Sequence, residues 1–213
     1  MKNAIYLLLV AISVIQLSCQ KNEKVHVTEI ENRDGVVYLN GEKYSGIVFE
    51  NYDNDQLKNH WSITEGIADG TYEQYYKNGE LNQKMTWNKG KKEGPFEKYY
   101  DNGQIEIKSS FKDDNKNGDF ETYYKNGQLW KKGYYDAGNL DGSIEEYYEN
   151  GQLIQNITWQ NGKKEGPFEQ YYKNGQLKLI GYYTENNRNG TFEFYNENGE
   201  LVEKVVYENG NKQ

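Results

Sequence analysis

One sentence of twelve residues, Gly-Pro-Phe-Glu-Gln-Tyr-Tyr-Lys-Asn-Gly-Gln-Leu from Gly166 to Leu177, organises the chain. It returns in edited form from Gly70, Gly94, Gly118, Gly142 and Gly190, always at a step of 24 residues. A period of that size specifies an array of one supersecondary unit rather than a conventional globular core. With each leading Gly as position zero, position 2 is aromatic except at Ile144. Position 3 is Glu and position 5 is Tyr in all six copies. Position 6 is Tyr except at Asn196, positions 8 and 9 are Asn-Gly, and position 11 is Leu or Ile.

Asn-Gly between β-rich runs predicts a hairpin with a two-residue type I′ loop, because both residues accept positive φ cheaply. That loop places position 6 opposite 11, 4 opposite 13, and 2 opposite 15. One face then carries positions 2, 6, 11 and 17, as in Tyr148 beside Leu153. The other carries 3, 5, 12 and 14, with Trp130 beside Tyr123. Position 3 faces 14, giving Glu73–Lys84, Glu97–Lys108, Glu121–Lys132 and Glu193–Lys204 as cross-strand pairs. Each such pair contributes about 0.2–1 kcal/mol. The polar stretch at positions 18 to 23, such as Asn88 to Glu93, reads as a wider loop. Two strands per repeat, joined only by hairpins, predict an all-β fold: an elongated, twisted antiparallel β-meander of about seven hairpins. At about 4.8 Å per strand it extends roughly 70 Å, and its accumulated twist lets the aromatic face curve on itself.

Composition agrees with that reading. Twenty-one Tyr and 22 Gly beside 2 Pro suit ring ladders and turns, not an aliphatic core. A net charge of −8 provides no electrostatic footprint for phosphate backbones, which argues against nucleic-acid binding.

The ends differ from the array. Met1-Lys2-Asn3 precedes an apolar run, Ala4 to Leu17, too short to span a bilayer comfortably and matching the apolar region of a signal peptide. Ser18-Cys19 follows at once, and Cys19 is the sole cysteine. Leu17-Ser18-Cys19 resembles a bacterial lipoprotein cleavage site, although Gln16 stands where Leu is usual. The expected organisation is a signal peptide over 1–18, a lipidated Cys19 with a tether over 19–30, and the repeat array over 31–213. The expected location is the cell envelope, periplasmic or surface-facing. Gly46 opens a degenerate copy in which Asp55 replaces the turn Gly.

Gly-x-Phe-Glu-x-Tyr-Tyr-x-Asn-Gly-x-Leu followed by Trp-x-Asn-Gly-Lys resembles the MORN-repeat variant, found in bacterial proteins often labelled toxin–antitoxin system YwqK-type antitoxin. The resemblance covers about Val36 to Gly210. It implies an elongated meander used as an interaction platform, some members working near membranes, with no catalytic residue.

Catalytic, metal and cofactor chemistry find little support in the residues. His26 and His60 are the only histidines, in the tether and the degenerate copy, so no nucleophile–base–acid set can recur in phase. Asp113-x-Asn115-x-Asn117-Gly118 imitates the start of a Ca²⁺ loop, but Tyr124 stands where the bidentate Glu belongs. The expectation is a non-enzymatic, envelope-anchored interaction scaffold, binding an unidentified protein or envelope component. An antitoxin or immunity protein against a toxin is the alternative. The strip Tyr99, Tyr123, Tyr147 and Tyr171 is the candidate contact surface: rigid rings with a wettable end on the charged face.

Overall fold

A computed structural model describes residues 23–213. The segment 1–18 and Cys19 lie outside the described residues. From Gly46 onward the chain is one antiparallel meander. Its hairpins begin with Gly46–Asn51 and Leu57–Thr64, then Ile67–Tyr75 and Leu81–Asn88. The last hairpin is Gly190–Tyr195 with Leu201–Glu208, and the two-residue strand Asn211–Lys212 pairs with its end.

The central register is the expected one. Tyr72 pairs with Met85, Glu73 with Lys84, and Gln74 with Gln83. The turns are not. The tight two-residue loop lies at positions 19 and 20, within the stretch expected to be a wide loop. Lys89 (φ 48°) and Gly90 (φ 83°) both take positive φ, and Trp87 pairs with Lys92. This is the type I′ geometry.

At Asn-Gly only the glycine is left-handed: Gly79 has φ 86°. Gly79 N–H donates to the Tyr76 carbonyl and Tyr76 N–H to the Glu80 carbonyl. That is a three-residue loop with a bulge at the glycine. Asn78 serves another purpose, because its Oδ1 accepts from the Glu80 N–H and caps the turn.

A second bulge compensates for the longer loop. Tyr75 pairs with Leu81 but Gln74 with Gln83, so Asn82 is the extra residue. The expected faces of positions 11 and 12 are therefore exchanged. Leu153 stands opposite Tyr147 rather than Tyr148. Position 12 joins positions 4 and 6: Lys98 bonds Glu106, and Trp130 packs on Tyr124 (ring centroids 6.0 Å), not on Tyr123.

The core follows the corrected faces. Phe120, Ile144, Ile157, Phe168, Leu179 and Phe192, at positions 2, 13 and 15, form one buried cluster. Rings at positions 2 and 17 alternate edge to face along it: Phe168–Tyr183 at 5.6 Å, Tyr183–Phe192 at 5.7 Å and Phe192–Tyr207 at 5.2 Å. Such geometry suits the ring quadrupoles.

A separate N-terminal cluster joins Val25, Val37, Tyr44, Val48 and Ile63. Lys24–His26 adds parallel to Gly46–Asn51, and Glu31–Arg33, Val36–Leu39 and Glu42–Lys43 make a small sheet. The described part of the expected tether is thus part of the fold. It covers the first edge of the meander, as a terminal cap must.

Glycine at position 15 is a packing requirement at two places. A Cβ on Gly181 would collide with the Phe192 ring, which is 0% exposed and has nowhere to go. Gly181→Ala should therefore destabilise the protein by about 1–3 kcal/mol, the range for overpacking. Denaturant melts check this, and an unchanged midpoint would contradict the packing described.

Candidate interaction surface

The face opposite the core carries positions 1, 3, 5, 14 and 16. Its central rows are built from two side-chain ladders. In every complete repeat the position-5 tyrosine donates its hydroxyl to the position-3 carboxylate two residues earlier. The distances are 2.6 Å for Tyr75–Glu73, 2.7 Å for Tyr99–Glu97, 2.5 Å for Tyr123–Glu121 and 2.7 Å for Tyr171–Glu169. Tyr147–Glu145 repeats the contact, as does Tyr195–Glu193 at 2.5 Å. Alternation along a strand puts i and i+2 on one side, which lets a rigid phenol reach back along its own strand.

Position 14 lies between two such glutamates. Lys84 pairs in register with Glu73 on one side and Glu97 on the other. Ion pairs form at Lys84–Glu73 (3.3 Å), Lys132–Glu145 (3.0 Å) and Lys204–Glu193 (2.6 Å). Lys132 thus bridges to the following repeat's Glu145, although it also stands opposite Glu121 as expected. His60 Nε2 lies 3.4 Å from Glu73 and opens the row.

These contacts shift the titrations. Burial and the hydrogen bond to the paired glutamate push Tyr75, Tyr99, Tyr123 and Tyr171 up to about 12. Tyr147 is raised by burial and by Glu145. Burial acts to raise Glu73, but bonds from Tyr75 and Lys84 outweigh it and hold it below the usual range. Glu145 behaves likewise, with Tyr147 and Lys132 as its donors.

The candidate residues Tyr99, Tyr123, Tyr147 and Tyr171 thus stand in one row, half-buried, with their hydroxyls engaged. Sequence reasoning missed two more exposed rings on this face. Tyr134 and Tyr182, at position 16, are 41% and 46% exposed. Position 16 is Thr, Ser or Val elsewhere in the complete repeats, so no period announced them. Among the described residues no cluster of His, Cys, Asp and Glu is placed to hold a metal, and no helix is long and apolar enough to cross a membrane.

Tyrosine at position 6 does different work. Its hydroxyl donates to the position-5 carbonyl of the next repeat: Tyr76 to Tyr99 and Tyr100 to Tyr123 at 2.7 Å, Tyr124 to Tyr147 and Tyr172 to Tyr195 at 2.8 Å. Asn78 Nδ2 likewise donates to the Asp101 carbonyl at 2.9 Å.

Six stretches match the MORN repeat variant: 68–89, 92–113, 116–137, 140–161, 164–185 and 188–209. The chain belongs to the MORN repeat variant family. MORN repeats in general mediate interactions with proteins or membranes, and their all-β arrays are a non-catalytic scaffold type. Comparison with curated proteins gives no match. Among solved structures, the chain resembles the crystal structure of the GtfA/B complex bound to UDP and GlcNAc. The TM-score is 0.22 at 12% identity, covering 61% of this chain and 23% of that one. The chain spans about a quarter of that protein's length, and a likeness so slight carries no functional argument.

The tyrosine–glutamate contacts make stability depend on pH at both ends. A tyrosine raised in the folded state stabilises it fully below the unfolded value of about 10. That contribution is lost as pH rises towards the folded value of about 12. The depressed glutamates contribute above about pH 4.3, their unfolded value, and lose it as pH falls through the folded one. Thermal melts should give a plateau at neutral pH, with an alkaline decline beginning near pH 10. Replacing the position-5 tyrosines by Phe should flatten that alkaline limb; an unchanged limb would show that other groups cause it.

Proposed function

We propose that this protein is a non-enzymatic interaction scaffold tethered to the bacterial envelope through a lipid on Cys19, with its tyrosine strip as the contact surface. The observation that carries the reading is the row of position-5 rings, with Tyr134 and Tyr182 beside it on the same face. Each ring in the row is held against a glutamate, so little side-chain freedom remains to be lost on binding. Aromatic groups already fixed in place are the usual centres of interface energy. The surrounding Glu and Lys rows supply a polar rim that a partner of complementary charge would meet. The family's general role agrees with a scaffold. The anchor rests on the apolar run ending at Leu17-Ser18-Cys19.

The decisive experiment is recovery of partners from envelope extracts with the full chain. Tyr123→Ser with Tyr147→Ser should weaken capture of the recovered partner. Tyr→Phe at the same positions keeps the rings, removes the hydroxyls, and should retain most of it. Capture undiminished in a folded Ser variant would place the contact elsewhere. Recovery of a toxin would favour the immunity reading over a general scaffold. Separately, Cys19→Ser should abolish lipid labelling and partitioning into the detergent phase. Unchanged mass and partitioning would refute the anchor.

A further inference from the structure

On the core side of the sheet, position 22 stands directly across from position 17 of the preceding strand, as in Trp87 with Lys92 and Trp159 with Lys164. Five copies place a cation there; Lys212 pairs with Glu203, and in the other four the cation sits over neighbouring rings. Lys92 Nζ lies 5.8 Å from the Trp87 centroid and 5.4 Å from that of Phe111. Lys116 lies 5.0 Å from Tyr135. Lys164 lies 5.8 Å from Trp159 and 5.3 Å from Tyr183. The Arg188 guanidinium lies 5.0 Å from Phe192 and 5.2 Å from Tyr207. All fall within cation–π range. A sixth copy has Leu140, whose hydrocarbon side chain packs against the core.

Ala68 stands at the same position and reaches none of these rings. Trp61 at position 15 and Tyr72 at position 2 lie beside it, with ring centroids 6.5 Å apart, and Trp87 is on the next strand. Together with Asn59 they line an open hollow of about 340 Å³. Asn59 is 8% exposed and already satisfied: its Oδ1 accepts from the Tyr72 hydroxyl at 3.2 Å, and its Nδ2 donates to Glu50 at 2.7 Å. Lys92 lies over Trp87 from the strand on the other side. None of the five residues lining the hollow carries a charge.

We propose that this hollow is a binding site for a lysine side chain presented by a partner protein, taking the place that the chain's own Lys92, Lys116 and Lys164 occupy in their copies. The equivalence of position supplies the fit: Trp87 stands to Ala68 as Phe111 stands to Lys92 and Tyr183 to Lys164, and although Ile63 rather than a ring lies across from Ala68, Trp61 and Tyr72 supply the other aromatic walls. The apolar walls favour a cation that brings its own hydrocarbon over a small hydrated ion. A net charge of −8 favours approach of a basic segment. The site lies on the face opposite the tyrosine strip, so the two surfaces stand or fall separately.

The test uses the full chain and two uncharged-backbone peptides, acetyl-Gly-Gly-Lys-Gly-Gly-amide and its norleucine counterpart. The indole N–H signals of the tryptophans are followed by NMR. The lysine peptide should shift Trp61 and Trp87 and leave Trp130 and Trp159 in place, with the norleucine peptide about tenfold weaker, the size of one desolvated cation–π contact. Ala68→Lys fills the hollow from within; it should abolish the shifts and raise the melting temperature. Ala68→Leu, which reproduces the side chain found at Leu140, should abolish the shifts too and keeps the test open if the lysine variant folds poorly. Equal binding of the two peptides would overturn the proposal in favour of a plain apolar pocket. So would shifts that survive in the folded Ala68→Leu variant, or no shift at Trp61 and Trp87 with either peptide.

Discussion

The hydrogen bond from each position-6 tyrosine to the carbonyl of the next repeat's position 5 is what keeps the hairpins together at one end. Backbone pairing between neighbouring hairpins begins at the tight turn, Asn88 with Lys91, and ends at Gln83 with Lys98. Beyond that point the bulged loops 76–80 and 100–104 share no backbone ladder. The Tyr76 hydroxyl and the Asn78 amide cross that gap to the carbonyls of Tyr99 and Asp101. Each satisfies an acceptor that pairing leaves free, for about 1 kcal/mol net. Because the contact recurs down the array, its effect is cumulative in a structure whose stability is a sum over neighbours.

The two faces solve different problems with the same residue type. On the core side, rings stack on rings and cations lie over them, so the sheet shields its apolar row without a second layer. On the other side the phenols face carboxylates. A glutamate partly withdrawn from water needs donors to stay charged, and a tyrosine and a lysine supply them at Glu73, Glu145 and Glu193. The consequence for binding is a surface that is stiff, amphipathic and already ordered.

Departures from the repeat consensus are where individuality enters. Glycine at position 15 appears where the neighbouring copy brings a bulky group into the space, as Phe192 does beside Gly181 and Ile144 beside Gly133. Alanine at position 22 opens a hollow between tryptophans. An array of identical units offers a partner no preferred register. These exceptions distinguish one end of the sheet from the other.

The period, the strand pairs in the middle of each hairpin, and the residues that meet there were all legible in the chain. Alternation has a period of two, and only one register lets Tyr72 meet Met85 while Glu73 meets Lys84. Legible too was the invariant Tyr at position 5 on the charged face. The turns were settled in three dimensions. Asn-Gly satisfies a type I′ loop and a bulged three-residue loop equally well by composition. In the bulged form Tyr76 and Asn78 reach the carbonyls of the next hairpin, although the last copy bulges at Gly199 in the same way with no further hairpin beside it among the described residues. The tight turn went to Lys89-Gly90, where Gly supplies one positive φ and the ladder imposes the other on Lys. The partner of the position-5 hydroxyl was equally hidden: alternation places Glu and Tyr on one face, but the reach of the phenol back to its own glutamate depends on the pleat and the rotamer. The hollow at Ala68 was the least legible, because a missing side chain has meaning only beside the rings that surround it.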